Sequence, residues 1–566
     1  MVRRSDSVLH TRLPVTGPQG QLVQPQALAQ LPKLQRKLYH LPGVAWCLVG
    51  NGLSNQTFIE APQGLIVVDT GECVEEMRSA LREVRQHTAK PICAVIYSHF
   101  HYVNGTQAIL EDKPTQPLHI YAHPGIDDNL QRSAGLAQPR YSRGLVHQFG
   151  VRLPEQGEDA LLHCGLGLSY RNKAHAPFTP GYMPATTHLQ DGATLNIGGL
   201  EVQFFYAPSD SDDSITLWID SLGLCVNNLL WPALFNLYAI RGEQWRDPRL
   251  LLAGMDQIAT LAPSHLIATH GPPVSDDVEN YIQIYRDSIQ FLWDQTVRGA
   301  NAGLSLAELT HHVRLPTIFD KHPHTQQLYG VAEHHIRQIY NGLFGWFDED
   351  ASQLLPLAPA DRSRRMIRGF GGRAKVRKQL HEALGKRDYR WALELGGWLL
   401  AVKPTQADRE DVAEGLRGVA RQTTSANLRN WCLTRALEVT GHINLDRFRQ
   451  HRLDTSSLLQ QSPEQTLAIL GVLLNPVKAG SLNMRIGFQF IGTRRLTLHI
   501  RNQIAVLTEN NSASDASLML SQETWAGLLA GEIYLTDAIE EGTVSIEGEA
   551  EEIVAALACF DIETFQ

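Results

Sequence analysis

Pro91-Ile92-Cys93-Ala94-Val95-Ile96-Tyr97-Ser98-His99-Phe100-His101 reads as a proline-opened, β-branched strand that ends in two histidines one residue apart. Just upstream, Phe58-Ile59-Glu60 and Leu65-Ile66-Val67-Val68-Asp69 flank Gly64 as two short strands around a turn, the second ending in a carboxylate. Between them and the histidine strand, residues 72–85 carry Met77, Leu81 and Val84 at helical spacing. A strand, a helix and a strand with histidines at its carboxyl edge is the arrangement in which open α/β sheets place their sites. The fold class that follows is α/β at this end of the chain.

Further along, residues 123–189 are rich in Gly, Pro and polar side chains, which predicts long loops over a site. Strands resume at 193–197 and 200–205 around a Gly198-Gly199 hairpin, then at 215–219 and 222–226, and 265–270 is one more apolar strand ending in a histidine. From residue 279 the period turns helical, with Ile282, Tyr285, Ile289 and Leu292 on one face, and stays so to about 437; 375–385 and 391–402 form an expected antiparallel pair. After about 444 the period becomes two. Leu482, Met484, Ile486, Phe488 and Phe490, then Leu496, Leu498 and Ile500, then Ile504 and Val506 predict a three-stranded antiparallel meander with one wet face, flanked by helices at 463–474, 521–530 and 550–558.

At 566 residues the chain exceeds what one core supports, so several domains are expected. A net charge of -9 with 43% apolar and 19% charged residues describes a globular protein and argues against nucleic-acid binding, which needs a clustered cationic face. Residues 1–15 lack the apolar core of a secretory leader and no later run has the length of a membrane span, so a cytoplasmic protein is expected. Seven widely spaced cysteines with no CxxC pair predict reduced, buried thiols.

Five segments in order carry a family resemblance: Ser54-Asn55-Gln56-Thr57-Phe58-Ile59; Asn236-Leu237-Tyr238-Ala239-Ile240-Arg241-Gly242 with Arg246-Asp247; Tyr329-Gly330 through His334 to Arg337; Gly345-Trp346-Phe347-Asp348; and Asp388-Tyr389-Arg390-Trp391-Ala392. With these the chain resembles the alkyl sulfatases of the metallo-β-lactamase superfamily. The resemblance implies a metallo-β-lactamase αββα sandwich over residues 1–300, an all-α dimerisation domain over 301–442 and a sterol-carrier-like α+β domain over 443–566. It also implies a homodimer and a small amphiphilic or anionic ester as substrate, gathered by an apolar groove of the last domain; the same apolar face read as plain core is the alternative.

The superfamily's metal signature is HxHxDH, and the segment here is His99-Phe100-His101-Tyr102-Val103-Asn104. His99 and His101 match ligands of the first zinc. Valine has no donor atom and an asparagine amide is a weak neutral ligand, so the second ion loses two anchors. By resemblance, Asp210 (with Asp212 as the alternative in the 207–213 loop), Asn228 in place of a bridging glutamate, and His270 in Ala268-Thr269-His270-Gly271 complete the metal positions. One Zn2+ is expected rather than two; the competing reading leaves His99 and His101 hydrogen-bonded in an ion-free cleft. Arg241 and Asn55 match the residues that hold the sulfate, and the alternative for Arg241 is a buried ion pair with a carboxylate such as Asp247. His334 matches a catalytic histidine beside the reacting group. The expected activity is hydrolysis of sulfate or related anionic esters by metal-activated water; the alternatives are an inactive relative that binds an amphiphile or anionic metabolite, and a hydrolase using iron or manganese.

Overall fold

The histidine strand, Ile92–Ile96, lies parallel between Gly64–Val68 and His119–Ala122 in a seven-stranded sheet. The structure is a computed structural model that describes residues 8–10, 12–112, 114–115, 117–459, 461–492, 495–508 and 514–565. The reading of residues 1–15 therefore falls partly, at 1–7 and 11, outside the described residues.

The sheet runs in chain order through Lys37–Leu41, Ala45–Val49, Gln56–Ala61, Gly64–Val68, Ile92–Ile96, His119–Ala122 and Thr187–His188. Its first four strands are an antiparallel meander, because short turns join them. The step from Gly64–Val68 to Ile92–Ile96 is parallel, because the helix Val74–Val84 provides the crossover that a parallel pair requires. A second sheet of five strands orders Thr194–Ile197, Leu200–Tyr206, Ile215–Ile219, Leu224–Asn227 and His265–Ala268, the last parallel to its neighbour.

The two sheets enclose one apolar layer. Ile59, Ile66, Val68 and Ile96 of the first meet Val202, Phe204, Leu217, Val226 and Ile267 of the second. On the outer side of the five-stranded sheet, Leu251, Met255 and Ile258 of helix Pro248–Leu261 and Ile282, Tyr285 and Ile289 of helix Val278–Asn301 pack with Trp218, Cys225 and Leu266. This is the helix-covered double sheet of the metallo-β-lactamase fold.

Residues 123–189 depart from the expected loops: helices Ile126–Ala134 and Gln138–Gln148 occupy part of them. Their composition misleads because the second helix carries Gly144 near its centre. A Cβ there would stand 2.0 Å from the carbonyl oxygen of Arg241, so the glycine marks close packing of helix on backbone rather than a break.

The middle of the chain is helical as expected. Helices Arg373–Gly385, Tyr389–Ala401, Gln406–Gln422 and Ala426–Thr440 follow one another, with Asp388, Thr405 and Ser425 accepting first-turn N–H groups at the starts of the last three. The last ends on Gly441, whose left-handed conformation closes the C-terminal turn. The described chain divides into two units, Met1–Asn129 with Arg143–Leu445, and Leu130–Ser142 with Asp446–Gln566.

In the second unit the predicted meander is present as Met484–Phe490, Arg495–Arg501 and Ile504–Thr508. The sheet is larger than expected, with Ala516–Leu520 parallel to the first of these strands and Val544–Glu547 at its far edge. These two strands are five and four residues long, too short for alternation alone to mark them in the sequence. Phe488, Phe490, Trp525, Phe560 and Phe565 fill the core between this sheet and its helices. Among the described residues no helix is long and apolar enough to cross a membrane.

Candidate active site

The site begins where Gly64–Val68 and Ile92–Ile96 end side by side. Asp69 follows the first strand in a left-handed conformation (φ 60°), which Asp tolerates, and its carboxylate accepts from Ser98 twice: from the backbone N–H at 2.8 Å and from Oγ at 2.6 Å. Burial pushes the Asp69 carboxyl up to about 7, and in its ionised form it takes the one hydrogen of Ser98 Oγ. The 2.8 Å contact between Ser98 Oγ and His99 Nδ1 is therefore a hydrogen bond donated by the imidazole, which leaves the lone pair of His99 on Nε2.

A short 3₁₀ turn, Phe100–Tyr102, brings His101 back beside His99. The 207–214 loop is fastened to the same strand end, since Asp213 accepts from the Phe100 N–H at 3.1 Å and the Ile215 N–H donates to the Ser98 carbonyl at 2.9 Å. This places Asp210 between the histidines, 3.7 Å from His99 Nε2 and 3.2 Å from His101 Nδ1. Of the loop aspartates it is Asp210 that meets them; Asp212 is bonded to Asn129 instead.

The three ligand atoms lie within 4.8 Å of one another. His99 Nε2 is buried and has no hydrogen-bond partner. Burial pushes the His99 imidazole down to about 3, so it is neutral at pH 7; against its own burial Asp210 is held well below the ordinary carboxylate range, with the His101 hydrogen bond and the Arg246 charge among the causes. A bare imidazole lone pair facing an ionised carboxylate in a buried pocket is repulsive until a cation stands between them. The donor set fits one divalent ion.

The other expected metal residues lie close by but point elsewhere. Asn228 turns its amide nitrogen to Asp210 Oδ1 at 2.6 Å and to Ser209 Oγ at 2.9 Å, while its oxygen accepts from Thr269 Oγ1 at 2.5 Å and from the Trp231 indole at 3.1 Å. His270 donates from Nδ1 to the Leu53 carbonyl at 2.9 Å and packs against Trp231 and Tyr102; it is not brought into the three-residue group.

On the substrate side, Asn55 spends both amide hydrogens on the carbonyls of Ala268 and Gly271, at 2.8 and 2.7 Å, so it braces the His270 turn. Arg241 is buried and donates from Nε to Glu243 at 2.6 Å. The carboxylate paired with it is thus Glu243 and not Asp247, which caps helix Pro248–Leu261 and pairs with Arg249. The charge of Arg241 acts on Asp210 and Tyr329, which keeps it in the same cleft. His334, near the start of helix Ala332–Phe344, meets the Arg241 tract through Tyr238, ring centroids 6.5 Å apart, and burial pushes it down to about 4.

Three contributors escaped the sequence reading. The carboxylate of Asp69 was visible at a strand end, but its bond to Ser98 was not. Arg246, buried and bonded from Nη1 to the Asn236 carbonyl at 2.5 Å, places a second cationic charge on Asp210. Glu72, its carboxyl pushed up to about 7 by burial, faces the charges of His101 and Arg241, and nothing in the periodicity of 72–85 marks it.

The fold and this cluster of two histidines and an aspartate define a metallo-β-lactamase-type hydrolase carrying further domains. Residues 49–102 match the metallo-beta-lactamase superfamily, 305–442 the alkyl sulfatase dimerisation family and 453–566 the alkyl sulfatase C-terminal family. A linear primary-alkylsulfatase of Pseudomonas sp. (strain ATCC 19151) is 32% identical over 524 residues, 89% of this chain and 98% of the relative. An (R)-specific secondary-alkylsulfatase of Pseudomonas sp is 27% identical, over 93% and 80%. The solved structure of the stereoselective inverting sec-alkylsulfatase Pisa1 from Pseudomonas sp. superposes with a TM-score of 0.85 at 23% identity, covering 100% of this chain and 93% of that one. The chain belongs to the alkyl sulfatase family.

Proposed function

We propose that this chain hydrolyses sulfate esters of alkyl chains with one bound zinc ion, held by His99, His101 and Asp210. The observation that carries the reading is the buried, partnerless Nε2 of His99 aimed at the ionised Asp210 beside His101. A zinc ion so bound supplies Lewis-acid charge and lowers the pKa of a coordinated water toward about 7.

The remaining work falls to the chain's own groups. Arg241, fixed at Nε by Glu243, presents cationic charge to the sulfate, and Arg246 adds to the positive potential from behind Asp210. His334 is neutral at working pH, since burial holds it near about 4, and so is in the form that accepts a proton. Asn55 keeps the His270 turn against the cleft instead of touching the ester itself.

The proposal includes a homodimer formed through the helical region. It is supported by the dimerisation-family match and by Trp346 and Leu355 in the same region, which stand 67% and 88% exposed. It also includes a cytoplasmic location, which fits seven cysteines that are all unpaired.

Elemental analysis of protein purified without added metal, joined to single-turnover assays with a long-chain alkyl sulfate, tests the reading. One zinc per chain is expected, with product formation that His101→Ala and Arg241→Ala abolish. Iron or manganese in its place would correct the ion. A folded protein with no ion and no product in a single turnover would leave a non-catalytic amphiphile binder.

A further inference from the structure

We propose that Asn228 is a positioning residue: its amide clamps Asp210 against His99 and His101 and, with its oxygen already taken, limits the site to one cation. The inference deepens the zinc reading and rests on it for the word cation, but the clamp itself is a property of the protein alone.

The orientation of the amide follows from hydrogen counting. The Trp231 indole N–H can only donate, and it lies 3.1 Å from Asn228 Oδ1; the Thr269 hydroxyl donates to the same oxygen at 2.5 Å. Both lone pairs of that oxygen are used. On the other side the Asp210 carboxylate can only accept, and it lies 2.6 Å from Nδ2, with Ser209 Oγ at 2.9 Å and Ser214 Oγ at 3.3 Å. Reversing the amide would set oxygen against carboxylate and N–H against N–H. Asn228 is buried and sits directly after the strand Leu224–Asn227, so the clamp is fixed to the sheet rather than to a loop.

Two consequences follow for the neighbouring groups. Asp210 Oδ1 already accepts from Asn228, and Oδ2 is the atom nearest His101. The side chain is thereby prevented from swinging out of the pocket before any ion arrives, as His99 is prevented by Ser98 and Asp69. Such outer contacts typically change ion affinity by roughly 10–100-fold. A carboxylate at position 228 would have the same shape but no donor for Asp210; the Trp231 and Thr269 donors would hold it, and it would add an anionic ligand where the amide offers none. The other donor to Asp210 Oδ1, Ser209 Oγ, stands at 3.5 Å against 2.6 Å for the amide, so the amide is the closer hold on Asp210.

The test uses the full chain and zinc as the probe. Zinc stoichiometry by native mass spectrometry and affinity by chelator competition are measured for the wild type, Asn228→Ala and the isosteric Asn228→Asp, with crystal structures of the ion-free wild type and Asn228→Ala. One ion per chain in the wild type, a loss of affinity of about 10-fold or more in Asn228→Ala, a second ion in Asn228→Asp, and an Asp210 turned away from His101 in ion-free Asn228→Ala are expected. Unchanged affinity in Asn228→Ala, two ions in the wild type, a single ion in Asn228→Asp, or an Asp210 that keeps its place in ion-free Asn228→Ala would overturn the inference. Should the wild type bind no ion at all, the zinc reading fails on its own, and the position of Asp210 in the ion-free pair still decides whether the clamp exists.

Discussion

At the scale of single residues, the site is a set of hydrogen-bond commitments that leave the ion-facing atoms bare. Ser98 is the smallest of these, and removing its hydroxyl should free the His99 ring to change tautomer. Ser98→Ala is expected to weaken zinc about 10-fold while Ser98→Thr keeps it, as read by chelator competition. Equal affinity in all three proteins would show that the ring needs no anchor. Arg241 tests the anion side. Arg241→Lys keeps the charge but loses the planar fork and the Nε bond to Glu243, so kcat/KM for an alkyl sulfate should fall by about 100-fold or more with the zinc content unchanged. At this scale the sequence was legible where a motif carries the chemistry: His99 and His101 adjoin in the chain, and Asp210 meets them. It was not legible for Asn228, Asn55 and His270, because whether an amide or a ring faces an ion or a carbonyl depends on hydrogen-bond partners 41 to 217 positions away.

At the scale of elements, close approach and burial decide what the site stands on. Helix Gln138–Gln148 can lie on the Arg241 backbone only because Gly144 has no side chain. Gly144→Ala should cost about 1–3 kcal/mol in urea unfolding and should raise KM, since the displaced carbonyl belongs to Arg241. A stable variant with unaltered KM would separate that helix from the site. Within the sandwich, Phe204 is wholly buried between the sheets, and Phe204→Ala should cost about 3–5 kcal/mol, measured by the same unfolding. Helix Ala426–Thr440 carries a pH-dependent tie. Glu438 lies 3.2 Å from His147 Nε2 and accepts from Arg435 at 2.5 Å, and the His147 contact foremost holds its carboxyl down to about 2 from the usual 4.5. The folded chain thus binds the Glu438 proton later than the unfolded chain does. The tie stabilises fully above about 4.5 and is lost as pH falls toward about 2. The Tm difference between the wild type and Glu438→Gln should be constant above pH 5 and shrink through that window; a difference that does not vary with pH would remove Glu438 as its source.

At the scale of the whole molecule, the apolar side chains Trp346 and Leu355 in the dimerisation-family region predict self-association. Sedimentation velocity should find a dimer that the pair Trp346→Asp and Leu355→Asp converts to monomer; a wild type that is monomeric at micromolar concentration would end that part of the proposal. By itself the sequence determined the kinds of layer and their order, because the period of apolar residues changes from mixed strand and helix to helix to strand, and each period is a local property of the backbone. It determined the family as well, through five segments that keep their order. Only the tertiary structure decided which polar atoms are spent on one another and which are left facing the cleft. Hydrogen-bond partners are matched across the fold between residues far apart in the chain, and burial makes each match obligatory, so the bare Nε2 of His99 and the occupied amide of Asn228 exist only once the two sheets have met.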